Sequence, residues 1–367
     1  MSGQVLREAW ERLSLGERLG LATLVATRGS TPQKVGARVL VGGDGGSLGT
    51  LGGGAVEAEA VREAALRVGR GDPVLREYTL ATGTDEWGLA CGGTMVVFIE
   101  PLDESALGWL RAVTDATSGG EPLAVVTVLE GALARARLLV REQGASGSLG
   151  DAALESQAVE VGRRVLAQER PDLAAIAGTR VYAESFAPAP ALVVVGAGHV
   201  GKALATLGKF LALRVVVIDD RPEYATATRF PEADEVIVAP VGQALARVRV
   251  TPRTAIVVAM RNHDLDHEAA AAALRTPARY VGLIGSRRKA ILVTERLFAD
   301  GVPADRVRAL RSPIGLDIGA TTPPEIALAI LGEWLMLRQG GAGKPLQLDE
   351  ALLAKAAARA GAGRADR

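Results

Sequence analysis

The sequence predicts an α/β protein in two parts: an N-terminal α/β half that repeats one degenerate unit, then a Rossmann-like half with a doubly wound parallel sheet. Three observations predict it. In Val193-Val-Val-Gly-Ala-Gly-His-Val-Gly201 a β-branched run stops at glycines spaced G-x-G-x-x-G, and Gly201 leads into a helical pattern. A second apolar run, Val215–Ile218, then ends in Asp219 and Asp220, completing the parts of a dinucleotide-binding βαβ unit. Finally, Ala37-Arg-Val-Leu-Val41 and Gly46-Ser-Leu-Gly49 recur as Ala136-Arg-Leu-Leu-Val140 and Gly147-Ser-Leu-Gly150, at offsets of 99 and 101 residues.

In chain order, Val5, Leu6, Ala9, Trp10 and Leu13 share one helical face, so residues 3–14 read as an amphipathic helix. Strands follow at Leu21–Ala26 and Ala37–Val41, then a glycine-rich hairpin, a helix over 55–69, and strands near 75–80 and 94–100. The second copy repeats this order from the strand Leu123–Leu129. Ala187-Pro-Ala-Pro190 reads as a linker. Beyond it, strands near 191–195, 214–219, 235–239, 255–260 and 280–284 alternate with helical patterns, which implies helices on both faces of a parallel sheet. Thr322-Pro-Pro-Glu325 is a capping-box pattern opening a helix to about Arg338. The expected domains are 1–183 and 190–340, with 341–367 a mobile tail.

Composition narrows the function. The chain has 367 residues, 42 basic against 42 acidic, and zero net charge argues against a nucleic-acid binder. A single cysteine, Cys91, excludes an internal disulfide and a cysteine-based zinc site. The first residues show no signal-peptide core, and no apolar run approaches the ~18 residues of a membrane span, so a soluble cytoplasmic protein is expected.

Ligands of open α/β sheets sit beyond the carboxyl ends of the strands. At those ends this sequence places Gly196, Gly198, His199 and Gly201, then Asp219 and Arg221, then Arg261-Asn-His263-Asp-Leu-Asp266, then Ser286, Arg287, Arg288 and Lys289. Asp219 is placed to accept from a ribose 2′-hydroxyl, whereas Arg221 would meet a 2′-phosphate. Ser286 with the three cations at a helix start makes an anion site. His263, Asp264, Asp266 and His267 invite a metal reading, but cap a helix equally well. In the first half, Gly29-Ser30-Thr31-Pro32 and the triple glycine Gly52-Gly53-Gly54 before a helix permit close backbone approach to a ligand, or only a tight turn. Cys91, before Gly92 and Gly93, is either an inert core thiol or, given those glycines, an accessible one suited to soft metals and sulfur. Only the first copy carries these three segments, so the chemistry is expected there, with the second copy as scaffold.

In their order, Thr27–Pro32, Gly49–Glu57, Cys91–Gly93, Gly196–Gly201, Asp219–Glu223, His263–Asp266, Val281–Lys289 and Pro313–Ala320 resemble the XdhC/CoxI family, over residues of about 20–340. Its members are maturation factors for molybdenum hydroxylases such as xanthine dehydrogenase and carbon monoxide dehydrogenase. This chain departs from the family at Arg261-Asn262, where an acid or histidine is common. The resemblance implies a chaperone rather than a turnover enzyme. It would bind molybdenum cofactor (Mo-molybdopterin), protect it while a separate cysteine desulfurase supplies sulfur, and deliver it to the hydroxylase. Cys91 would sit at molybdenum or relay sulfur. The rival reading is an NAD(P)-dependent oxidoreductase acting on a small substrate at the interface of the halves, with His199 or His263 as acid/base. A third is an accessory subunit with vestigial pockets. NAD(P) or another nucleotide is the expected occupant of the second half, and a homodimer the expected assembly.

Overall fold

Two copies of one α-β-β-β-α-β-β run build the first half of the chain in the computed structural model, which describes residues 2–69, 71–80, 92–348 and 350–365. The first copy is α1 (Ser2–Ser14), β1 (Leu19–Arg28), β2 (Arg38–Gly42), β3 (Ser47–Gly49), α2 (Gly54–Leu66), β4 (Val74–Thr79) and β5 (Thr94–Leu102). The second is α3 (Leu107–Thr117), β6 (Leu123–Val128), β7 (Arg137–Arg141), β8 (Gly144–Ser148), α4 (Ala152–Gln168), β9 (Asp172–Ile176) and β10 (Thr179–Phe186). Each copy forms an antiparallel sheet with the same order, β3-β2-β1-β5-β4 and β8-β7-β6-β10-β9. The duplication read from short strings is therefore a structural one.

Its register differs from the sequence match. Val39 pairs with Gly49 and Leu138 with Gly147, so Gly49 corresponds to Gly147, not to Gly150. Thr50-Leu51-Gly52 is then the counterpart of Ser148-Leu149-Gly150. The β7–β8 hairpin turns within two residues, Arg141 pairing Gly144, and the shorter turn changes the offset partway through the repeat.

The inner faces of the two sheets pack together. Val5, Leu6, Ala9 and Leu13 of α1 join Leu110 and Val113 of α3 over Leu21, Leu40, Leu102, Val125 and Phe186. Alternate residues of the same strands face outward, where α2 covers Ala22, Leu24 and Val97, and α4 covers Val126, Val140 and Val181. Two buried ion pairs cross between the sheets: Arg38 of β2 with Glu184 of β10, and Arg137 of β7 with Glu100 of β5. Thr23 pairs Arg38 and Thr127 pairs Arg137, while Leu21 pairs Glu100 and Val125 pairs Glu184, so the two bridges are equivalent. Burial opposes charge on Arg38, yet Glu184 outweighs it and the guanidinium is held more firmly protonated than usual. The pairs border a small cavity of about 30 Å³.

The chain divides into two units, Met1–Pro188 and Ala189–Arg367. The second holds β11 (Ala191–Val195), α5 (His199–Phe210), β12 (Arg214–Asp219), β13 (Glu235–Val238), α6 (Val241–Arg247), β14 (Ala255–Val258), α7 (His263–Leu274), β15 (Tyr280–Leu283), α8 (Arg287–Ala299), α9 (Ala304–Ala309), α10 (Pro323–Gln339) and α11 (Glu350–Ala365). Its strands are parallel in the order β13-β12-β11-β14-β15. Val193, Val195, Val216 and Ile218 face α6, α7 and α8, whereas Leu192, Val194, Val215 and Val217 face α5 and α10. The sheet is doubly wound, as the strand rhythm predicts. Between β12 and β13 the chain runs without a helix and buries Phe230. Within 341–367 the structure adds α11.

Candidate functional site

Three glycine loops of the first copy meet at one end of its sheet. Arg28, the last residue of β1, pairs with Thr94, the first of β5, so the loop from Gly29 starts beside Gly92 and Gly93. A Cβ on Gly93 would overlap the Ser30 carbonyl oxygen. A Cβ on Gly52 would lie 2.6 Å from Cγ of Pro32. Gly29-Ser30-Thr31-Pro32, Gly52 and Gly92-Gly93 therefore form one cluster; Ser30 is exposed, and Thr31 bonds the Gln33 carbonyl at 2.9 Å. Cys91 lies outside the described residues.

Gly52, Gly53 and Gly54 have φ of 113°, 79° and 75°, a run open only to glycine. Nothing lies within 4 Å of where a Cβ on Gly53 or Gly54 would point. Gly53 is the N-cap of α2 and brings no side chain to its free N–H groups. One acid holds the loop: Glu57 accepts from Thr50 Oγ1 at 2.6 Å, Leu51 N at 2.6 Å and Gly53 N at 3.0 Å. Burial alone would raise its pKa, but these bonds outweigh it and hold the carboxyl below the usual range.

The second copy shows what this arrangement looks like when closed. Glu155 takes Ser148 Oγ at 2.6 Å and Leu149 N at 2.7 Å, as Glu57 does. Yet Asp151 stands at the place of Gly53 and caps α4 through Leu154 N at 2.8 Å. The β9–β10 turn has only Ala177 and Gly178, and Glu130 pairs with Arg180 at 2.5 Å beside it. Glu57 was not singled out from sequence; the shared seven-residue spacing of Thr50–Glu57 and Ser148–Glu155 was the available signal.

In the second unit, Gly196 (φ 122°) lets Ala259 O approach where a Cβ would stand, and a Cβ on Gly201 would overlap Gly196 O. Gly198 has open space at its Cβ position and is the N-cap of α5, with no side-chain bond. This is the glycine division of labour that phosphate binding at a helix start requires. His199 opens α5 and is exposed.

Asp219 does not face the crevice. It is fully buried, accepting from Ala197 N at 2.7 Å and from Arg221 N, Nε and Nη2 at 2.9–3.0 Å. Both groups expected to meet a ribose or its phosphate are thus bound to each other, and Arg221 also covers the Tyr224 ring at 3.7 Å. Burial pushes the Asp219 pKa up, but the guanidinium and the N–H groups bring it below its ordinary value. The next residue, Asp220, holds Arg261 with two bonds of 2.5 and 2.8 Å, a pair that sequence reading did not mark.

The residues of the metal reading go separate ways. Asn262 caps α7 through Leu265 N; His263 is exposed beside Asp264, which holds Arg296. Asp266 turns inward to Met260 N and Lys289, and His267 Nε2 meets Asp300 at 3.0 Å. Burial raises the Asp266 pKa in spite of Lys289. Among the described residues no three His, Cys, Asp or Glu side chains gather as a metal site. Ser286 caps α8 through Lys289 N at 3.3 Å, and Arg287 and Arg288 are exposed, so two of the three expected cations face outward.

Comparison with known families decides the lineage. Residues 192–334 match the XdhC Rossmann domain, and residues 12–79 match the XdhC and CoxI family. The chain belongs to the XdhC and CoxI family. Among relatives of this family member, a probable xanthine dehydrogenase subunit of Bacillus subtilis is 29% identical over 88% of this chain and 94% of its own length. A molybdenum cofactor insertion chaperone, PaoD, of Escherichia coli is 25% identical over 91% of this chain and 88% of its own. A crystal structure described as a xanthine dehydrogenase from Bacillus halodurans superposes with a TM-score of 0.68 at 25% identity, covering 91% of this chain and 96% of that one. No helix among the described residues is long and apolar enough to cross a membrane.

Proposed function

We propose that this chain is a maturation factor for a molybdenum hydroxylase of the xanthine dehydrogenase or carbon monoxide dehydrogenase type. It takes up molybdenum cofactor, shields it while a cysteine desulfurase supports its sulfuration, and delivers it to the hydroxylase. The observation that carries this reading is the difference between the copies: the first keeps an uncapped helix start and open glycines where the second places Asp151 and a closed hairpin. A helix N-terminus whose cap residue brings no side chain suits the phosphate of the cargo. Cys91 directly precedes Gly92 in sequence, and its thiolate is the soft ligand or sulfur relay of the first unit. The relative named for molybdenum cofactor insertion supports the same role. The second unit holds a nucleotide phosphate at Gly196–Gly201, and the working assembly is a two-fold dimer in the cytoplasm.

The test is to produce the protein in a molybdopterin-competent host and measure bound pterin fluorescence and molybdenum. Wild type is expected to carry near-stoichiometric pterin, Cys91→Ala to lose molybdenum, and Gly53→Asp to lose both. Absence of pterin from the wild type, with NAD(P) bound instead, would replace this reading with the oxidoreductase one.

A further inference from the structure

The ion pair Asp220–Arg261 has a place in the fold that its chemistry alone does not suggest. Asp220 follows the last residue of β12, and Arg261 follows β14 by three residues. Those strands flank β11 on either side. Neighbouring parallel strands lie about 4.8 Å apart, so the pair spans roughly 10 Å, above the carboxyl end of β11. That end is the glycine turn: Gly196 lies against Ala259 O on the Arg261 side, and Ala197 N is bonded to Asp219 on the Asp220 side. The crevice that would take a phosphate at the start of α5 therefore has an ion pair strapped over it.

We infer that Arg261 is a phosphate-binding residue of this crevice, held in reserve by Asp220 until a ligand phosphate takes the carboxylate's place. The inference rests on reading the second unit as a nucleotide site. Of the other charged groups there, Asp219 and Arg221 are committed to each other. Asp220 and Arg261 are partly exposed, at 25% and 39%, and exposed pairs of this kind are weak. A guanidinium that grips a carboxylate through two parallel bonds presents the same fork to a phosphate. The exchange replaces a neutralised carboxylate with a phosphate that also gains the N–H groups at Gly198 and His199, so the ligand provides the differential binding that opening requires.

Calorimetric titration of the full chain with ADP tests this. Arg261→Gln is expected to weaken ADP binding about tenfold or more, with Arg261→Lys recovering part of the loss. Asp220→Asn, which frees Arg261, is expected to tighten binding several-fold, an effect that misfolding does not produce. Gly198→Val, whose side chain enters open space, is expected to abolish binding. Wild-type affinity in Arg261→Gln, with Gly198→Val still blocking, would overturn the role of Arg261 and leave the nucleotide reading intact. Weaker binding by Asp220→Asn would make Asp220 a ribose acceptor and overturn the strap. No ADP binding by wild type or Asp220→Asn would overturn both.

Discussion

Asp219 shows how a residue legible by type is settled only by its neighbours. An acid at the end of the second Rossmann strand is visible in the sequence. Its partners are not, because Ala197 N is aimed by the backbone of the glycine turn and Arg221 by the stack on Tyr224. Four bonds on a fully buried carboxylate make it a bracket. We expect Asp219→Ala to destabilise the second unit by about 3 kcal/mol in urea unfolding, leaving Arg221 and the Ala197 N–H without their acceptor. The pH dependence has a definite sign. The folded pKa lies below the unfolded value of about 3.9, so the stabilisation is present above that pH and is lost as pH falls through the lower folded value. Asp219→Asn should flatten this acid limb. Cys91 stands at the other extreme: its chemistry is read from sequence alone, and the bound-molybdenum measurement decides it.

Elements were more legible than their ends. The five Rossmann strands and the α10 start were predicted within a few residues, since apolar runs and capping patterns are local signals. The repeat was visible but misaligned, since a hairpin shortened by one residue shifts everything after it. The start of α10 allows a sharp test. Glu325 accepts from Thr321 N at 2.9 Å and Thr322 N at 2.8 Å, and these backbone bonds lower its pKa to about 2. This cap is intact above the ordinary glutamate value of about 4.3 and is lost as pH falls from there towards 2. Amide exchange at Thr321 and Thr322 should accelerate over that window in wild type. In Glu325→Gln, which keeps the bonds without the charge, protection should be independent of pH once intrinsic exchange is corrected.

At the scale of the molecule, the crossed pairs Arg38–Glu184 and Arg137–Glu100 join the copies. No single-strand pattern foretells them, since each pair links residues of different copies and depends on how the sheets face. Glu184→Ala should destabilise the first unit by about 3–5 kcal/mol, because it leaves Arg38 charged and buried. The double replacement Arg38→Met with Glu184→Leu should recover most of that loss in the same denaturant titration.

The crossing has a further meaning. Arg of each copy reaches Glu of the other at equivalent positions, which is the contact rule of a two-fold homodimer interface. A half-length ancestor with this sheet would have paired with itself, and every site it carried would have come in twos. Joining the halves in one polypeptide released them from that identity. One copy caps its helix through Asp151, while the other leaves the start of α2 without a side-chain cap.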